Sequence, residues 1–589
     1  MISKSAIKLD YTKDNLFDEL GMRRLRDAYL RPDEKSPQER FSFVARSLGS
    51  NKEHAQRLYG YMSKHWLSNS TPILSHGLTK KGLPISCYLS YIPDTSDGLL
   101  DTLEEVCALS MAGGGVGLGI GIRAEDEKSV GVMPHMKVYE AASLAYRQGK
   151  TRRGTFAAYL DIDHPNIVPH IEMRKETGDH NLRCQELHHA VNIPDRFMEL
   201  VEGAMLDENF DDSWELIDPN SKEVREVIRA RDLWALILQT RMETGEPFLH
   251  FIDTSREALP QFLKDLGLDI VQSNICTEII LPTNKDRTAV CCISSLNLDY
   301  WDEWKDNAQF YEDVAEMLDN ALEIFIKKAP RRLKRAILSA KRERSIGIGL
   351  LGFHSLLQSK GIPFESALAS SINRSIMIKM EKHLRSANAH LAMERGEAPD
   401  AEGTGRRFSH MIAIAPNATS SIIMGNTSPS IEPFRSNGYR QDTLSGMAIN
   451  KNKHLDKILK EKCPDEKDYN AAWHSVVTNA GSVQQLDFLD DYTKSVFKTA
   501  TELDQAWIIE HAAERQQFID QAQSINLFFP ATVDVKRLHD IHFLAWKKKL
   551  KTLYYCRSDK LFKGNSVSNQ SVRFSYDIKA MEEGCLACE

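Results

Sequence analysis

The chain has 589 residues, of which 42% are hydrophobic and 27% charged, with a formal net charge of -7; this is the balance of a folded globular protein and excludes a disordered one. An acidic chain is poorly suited to gripping a nucleic-acid backbone, which needs a concentrated basic face, and no run of about 18 apolar residues is present to span a membrane. The N-terminus, "MISKSAIKLDYTKDNLF", lacks the apolar stretch of a signal peptide, so a cytoplasmic location is expected, and there cysteines serve as thiols, metal ligands or redox groups rather than as a disulfide scaffold.

Residues 1–66 read as mostly helical and polar. In "SPQERFSFVARSL", Ser36 is placed to cap a helix that begins with Pro37 and carries Glu39 in its first turn. After "NSTPILSHG" the character changes. The short apolar runs "PISCYLSYI", "GVGLGIGI" and "AVCCISSLNL", bounded by turn residues, read as buried strands. Helical stretches such as "DGLLDTLEEVCALSM" and "YEDVAEMLDNALEIFIKKA" lie between them. This alternation predicts an α/β fold, a barrel over 67–563. The basic stretch "APRRLKRAILSAKRERS" reads as a solvated helix face. The polar end, 564–589, has weak periodicity and reads as a flexible tail.

Within the barrel, "QSNICTEIILPT" places Asn274, Cys276 and Glu278 two residues apart in turn. On a strand, alternate residues share a face, so an amide, a thiol and a carboxylate would enter one cavity. The bland alternative is an edge strand whose polar face meets water. Against it stand the apolar "IILP" that follows and the cysteines of two other apolar strands, Cys87 and the adjacent pair Cys291 and Cys292. Each cysteine alone is equally well explained as a small core residue. Two glycine-rich stretches do not carry nucleotide motifs. "GGGVGLGIG" fails G-x-G-x-x-G and is followed by "EDEKS" rather than an apolar helix. Gly149-Lys150-Thr151 has Leu144 where a P-loop needs its first glycine.

Taken in order, "NSTPIL", "SCYLSYIPDTSD", "SNICTEIILPT", "AVCCISSLNL", "RSIGIGLLGFHSLL", "IAPNATSSIIMGNTSPSIEPF" and "KTLYYCRS" resemble the large, catalytic subunit of the class I ribonucleotide reductases, with matches from about residue 20 to the C-terminus. The resemblance implies a ten-stranded α/β barrel with a helical N-terminal region and a redox-active tail, reducing ribonucleotides, foremost diphosphates, for DNA synthesis. It implies that Cys276 carries a transient thiyl radical, that Glu278 is the general base and that Asn274 positions substrate hydroxyls. Cys87 and Cys291 become the reducing pair, Cys291 rather than Cys292 following from the family pattern. Pro416, Asn417, Ala418, Thr419 and Ser420 become the phosphate cradle, with Thr71, Ser86 and Gly115 completing the substrate pocket. Asp94 and Arg123 match effector contacts, so a dNTP or ATP effector is expected, and "GKTRRGTFAAYLDIDHP" resembles the loop that couples effector to substrate choice.

Tyr554 and Tyr555 resemble the tyrosine pair through which class I enzymes receive a radical from a separate metal-bearing small subunit; cobalamin-dependent class II enzymes generally lack it. No cofactor or metal is then expected in this chain itself. In "GCLACE", Cys585 and Cys588 could be a dithiol or half of a zinc site, and no further ligands lie nearby in the tail. Thiol exchange is favoured: the tail would reduce the Cys87–Cys291 pair and be reduced in turn by a thioredoxin- or glutaredoxin-like protein. A homodimer is expected, and no ATP-binding cone ahead of the barrel. The alternatives are a class II enzyme and a non-catalytic nucleotide-binding regulator on the same fold.

Overall fold

The structure is a computed structural model that describes residues 2–3, 7–78, 82–146, 155–443 and 446–558. The helical N-terminal region forms as its sequence dictates. Ser36 Oγ accepts from the Gln38 amide at 3.1 Å and Pro37 opens the helix Pro37–Leu48. The helix Lys52–Ser63 packs beside it and is capped by Asn51, whose side chain accepts from the His54 amide.

The strands of the main sheet are β1 (Leu67–Asn69), β2 (Cys87–Ile92), β3 (Gly115–Ile120), β4 (Phe156–Asp161), β5 (His188–Ile193), β6 (Phe248–Phe251), β7 (Ala289–Asn297), β8 (Ile346–Leu351) and β9 (Thr552–Leu553). From β2 to β6 each strand pairs in parallel with the next, and helices such as Ser96–Met111 and Val132–Ala145 make the crossovers. The long strand β7 joins two halves. Its first residues, Ala289–Cys291, pair antiparallel with β2; from Cys292 onward it pairs in parallel with β8, and β1 lies antiparallel on Ser294–Leu296. The strand β9 returns antiparallel to β6.

The mixed α/β barrel is as the sequence indicates, but the strand count is not. Among the described residues nine regular strands, β1 among them, make up the sheet, and the ring is completed by extended segments that carry only isolated bridges, Ile348 to Ile412 and Ile414 to Gln523. The reason is local. Asp520 takes the Met411 and Ile412 amides, both at 2.8 Å, so these donors do not enter a ladder. The segment 525–529 then meets Tyr554 and Tyr555 through main-chain bonds, Tyr554 N to Ile525 O and Leu527 N to Tyr555 O.

Strand alternation sorts the side chains. Val116, Leu118 and Ile120 of β3 face the outer helices, and so does Cys292. Cys87, Leu89, Ala157, Tyr159, Phe248, Cys276, Cys291, Tyr554 and Tyr555 share a separate buried cluster inside the ring. The basic stretch 329–345 keeps most of its charges on a solvated face, with Arg331, Arg332, Lys334, Lys341 and Arg342 exposed, while Arg335 and Arg344 turn inward. Arg335, Arg342 and Arg344 pair with Glu105, Asp400 and Asp319, each at 2.6 Å, and those carboxylates are buried.

Candidate active site

Asn274, Cys276 and Glu278 converge inside the barrel, but not on a strand. Residues 272–283 contain no regular strand, and the Asn274–Thr277 stretch is a turn in which Thr277 takes the left-handed conformation at φ 67°. All three side chains are fully buried. The expectation of a strand fails because the loop is held from several sides at once. Asn274 Oδ1 accepts the Ile279 amide at 3.0 Å, Ser273 Oγ donates to Ile279 O at 2.8 Å, Tyr159 Oη donates to Asn274 O at 2.5 Å, and Thr552 Oγ1 donates to Thr277 O at 2.9 Å. These bonds satisfy buried backbone that a ladder would otherwise serve.

The glycine run of β3 makes room for this loop. A Cβ at Gly117 would collide with Ser273 O and stand 2.9 Å from Asn274 Cα; one at Gly119 would lie 2.6 Å from Gln272 Oε1. The stretch that fails as a dinucleotide motif is therefore the wall on which the loop rests.

Cys87 and Cys291 are direct cross-strand partners in the β2–β7 register, and Cys87 is also level with Gly115 of β3. Both carry buried thiols. Directly opposed antiparallel residues have Cα atoms about 4.5–5.5 Å apart, inside the span of about 4.4–6.8 Å that a disulfide accepts. Cys292 points the other way, its sulfur donating to Pro84 O at 3.4 Å. Asn274 Nδ2 donates to Cys87 Sγ at 3.4 Å, and the same sulfur lies 3.9 Å from Glu278 Oε1. Burial, and then the neighbouring Cys87, push the Cys291 thiol well above its ordinary range, so it keeps its proton at neutral pH.

Tyr554 and Tyr555 lie in line with this cluster. Tyr554 Oη donates to Cys276 Sγ at 3.5 Å, the two phenol rings are 4.3 Å apart between centroids, and Phe248 packs on both. Arg557 stacks on the Tyr555 ring at 3.9 Å. Sequence reasoning overlooked Ser524, whose hydroxyl donates to Cys276 O and lies 3.3 Å from Glu278 Oε2, and Gln521, whose amide donates to Cys291 Sγ at 3.6 Å. The available signal was the row of polar residues, "QAQSIN", leading into the apolar strand Leu527–Phe529.

The remaining candidates fall into two groups. Ser86 is buried beside Cys87 with a hydroxyl that has no partner among the described residues, and its carbonyl accepts the Gly115 amide at 3.0 Å. Thr71 bonds Tyr29 Oη at 2.9 Å, and Arg24 donates to Thr419 Oγ1 at 3.5 Å. Asn417 is in the left-handed conformation, and its amide is taken up by Ser295, Leu350 O and Ala415 O, which fixes the loop rather than offering the side chain to a ligand. Pro416 and Ala418 line a cavity that Tyr554 also borders. Ser420 borders a second, small one with Tyr29 and Asn69. Asp94 and Arg123 are away from this centre and pair with each other at 3.0 Å. Cys585, Cys588 and most of the segment "GKTRRGTF" lie outside the described residues.

Among the described residues one group, His54, Asp313 and Glu316, has the spacing of a metal site. Its carboxylates are already engaged: Arg57 grips Asp313 through two bonds at 2.7 and 2.8 Å, Tyr61 adds a third at 2.9 Å, and Arg395 pairs with Glu316. It is an ion-pair network. No helix among the described residues is long and apolar enough to cross a membrane.

The chain matches two family models, the ribonucleotide reductase barrel domain over residues 85–404 and 399–556 and the ribonucleotide reductase all-alpha domain over 15–82. It is 50% identical over 631 residues to the ribonucleoside-diphosphate reductase large subunit of Invertebrate iridescent virus 3, covering 99% of this chain and 100% of that one. It is 45% identical over 514 residues to the putative ribonucleoside-diphosphate reductase large subunit of Frog virus 3, covering 87% and 89%. The solved Actinobacillus ureae class Id ribonucleotide reductase alpha subunit superposes with a TM-score of 0.82 at 33% identity, covering 94% of this chain and 98% of that one. With its interior loop, cross-strand cysteines and stacked tyrosines on one barrel, the chain belongs to the ribonucleotide reductase family, as a large subunit.

Proposed function

We propose that this subunit reduces ribonucleoside diphosphates at the interior cluster, with Cys276 as the transient thiyl. The observation that carries the reading is the convergence on one buried centre of Cys276, the opposed pair Cys87 and Cys291, Asn274 and Glu278. Cys276 takes the substrate's 3′-hydrogen and later returns it. Glu278, steadied by Ser524, accepts the 3′-hydroxyl proton. The 2′-hydroxyl leaves as water, and Cys87 and Cys291 supply the two electrons, ending as a disulfide. Both thiols are buried, and Cys291 keeps its proton, which suits hydrogen donation rather than metal binding.

Tyr554 and Tyr555 serve as the inward path of the radical, which a small subunit with a metal-based oxidant supplies. Residues 416–420, with Thr71, Ser86 and Gly115, bind substrate, the phosphate falling to backbone amides and hydroxyls because the Asn417 amide is engaged. Asp94 and Arg123 form part of an effector site. Exposed Leu100, Val138 and Leu144 on two packed helices favour a homodimer. Cys585 and Cys588 shuttle electrons from a thioredoxin- or glutaredoxin-like protein to the Cys87–Cys291 pair, in the cytoplasm. The test is Cys276→Ser, assayed for CDP and CTP turnover with and without a candidate small subunit. Reduction should vanish while nucleotide binding persists; a fully active serine variant refutes the assignment.

A further inference from the structure

A nucleoside diphosphate carries several negative charges into its pocket, and burying an anion without a cation beside it is costly. The cradle proposed above is uncharged: residues 416–420, with Thr71, Ser86 and Gly115, include no lysine or arginine. A compensating charge has to come from elsewhere in the fold.

The helix Glu19–Ala28 of the N-terminal region packs on the helix Ala418–Ile423, which leads out of the cradle. Gly21 is buried at this contact, where a Cβ would stand 2.9 Å from Ile422 O, so the missing side chain lets the helix sit close. One turn on, Arg24 shares that face, and its Nη2 donates to Thr419 Oγ1 at 3.5 Å. The same helix ends at Tyr29, whose Oη and Thr71 Oγ1 share a hydrogen bond of 2.9 Å. One helix thus touches both parts of the pocket, and Tyr29, Asn69 and Ser420 border a common small cavity. Beside Thr71, the Ser70 hydroxyl is buried with no partner among the described residues, a group that a ligand oxygen would satisfy.

The other charges of this region are engaged or turned away. Arg23 pairs with Asp27 at 3.6 Å, and Arg26 is exposed. Lys453 pairs with Asp299 and donates to Gly425 O at 3.3 Å. Asp18 Oδ1 accepts the Gly21 amide at 2.6 Å, and burial pushes that carboxyl up, which weakens the negative charge that would oppose a phosphate.

We infer that Arg24 binds the terminal phosphate of the substrate and makes the site prefer a diphosphate to a monophosphate. A guanidinium suits this, because its planar fork matches phosphate oxygens two at a time. The N-terminal helical region is then part of the substrate site and not only a support for the barrel. Because the phosphate takes no part in the reduction, the contact is the same before and during the chemical step. It sets binding and leaves kcat alone.

The inference rests on the reading of residues 416–420 as the phosphate cradle, and the experiment separates the two. Binding of CDP, CMP and cytidine to the full chain is measured by equilibrium dialysis, and CDP turnover with the small subunit present. Arg24→Gln should weaken CDP binding about tenfold to a hundredfold, leave cytidine unchanged and narrow the gap between CDP and CMP. KM for CDP should rise alike at unchanged kcat. An equal loss for cytidine would mark a merely structural role and overturn the inference. Parent affinity for CDP in Arg24→Gln, with binding lost in Ser420→Asp, which sets a carboxylate in the cradle, overturns the role of Arg24 and leaves the cradle standing. Parent affinity in Ser420→Asp as well overturns both. Should Arg24→Gln fail to fold, the parent enzyme decides: CDP should protect Arg24 from phenylglyoxal, read by peptide mass spectrometry, and cytidine should not. Equal modification with and without CDP overturns the inference.

Discussion

Replacing Gly117 by alanine probes how tightly the interior loop is seated. The new Cβ would overlap Ser273 O and stand 2.9 Å from Asn274 Cα, where carbon atoms normally rest about 3.5–4.0 Å apart. The β3 backbone cannot retreat, since it is hydrogen-bonded to β2 on one side and β4 on the other. The loop must therefore shift by about 1 Å, at the usual overpacking cost of about 1–3 kcal/mol. The shift would also strain the Tyr159–Asn274 and Asn274–Cys87 bonds, each worth about 1 kcal/mol. A loss of about 2–4 kcal/mol in stability is expected, together with a fall in kcat of about a hundredfold, since a misplacement of that size at reacting groups costs as much. Gly60→Ala is the control: it lies in the helix Lys52–Ser63 with open space around it and should gain up to about 1 kcal/mol. Denaturant unfolding and CDP turnover of both variants check this. A Gly117→Ala enzyme with wild-type stability and rate would show that the loop is not seated on β3 as described.

Three further outcomes follow from the same geometry. Cys292→Ser should keep most turnover, because its sulfur faces Pro84 outside the ring, whereas Cys291→Ser should abolish multiple turnover; mapping the disulfide of oxidised enzyme by mass spectrometry and finding Cys87 joined to Cys292 would refute this. Truncation after Lys579 should leave about one turnover per active site until a small dithiol is added, and sustained turnover with thioredoxin alone would contradict it. Asp94→Asn removes one of the two carboxylates that Arg123 pairs with at 3.0 Å, leaving Asp126, and should alter how dATP, dTTP and dGTP shift substrate preference; a preference indifferent to effector in the parent enzyme would remove that site from consideration.

Much of this arrangement is legible from residue order alone. The apolar runs that contain Cys87 and Cys291 are strands because their periodicity and bounding turn residues leave little alternative, and the cap at Ser36 marks a helix that forms where expected. The Asn274, Cys276 and Glu278 spacing announces a common cavity, but the alternation argument gives the wrong cause: a turn through Thr277, held by distant Tyr159 and Thr552, does what a strand was expected to do. Such partners lie more than a hundred residues away and leave no local mark. The same is true of Asp520, which diverts the amides of Met411 and Ile412 and so breaks the expected count of strands. Ser524 and Gln521 were missed because a buried polar residue declares its role only through what it touches. The glycines of β3 were set aside as a nucleotide motif without their use being seen, since that use is steric and lies across the barrel.

The position of Cys291 at the point where β7 leaves β2 and takes up β8 has a mechanical side. A bond from there to Cys87 would rivet the seam between the two half-barrels and enclose all the chain from 87 to 291. Loops of that size, closed covalently, restrict the unfolded chain by about 5 kcal/mol. Spent enzyme should then melt at a higher temperature than enzyme ready for work, and the melting profile of a population would report what fraction of it awaits recharging.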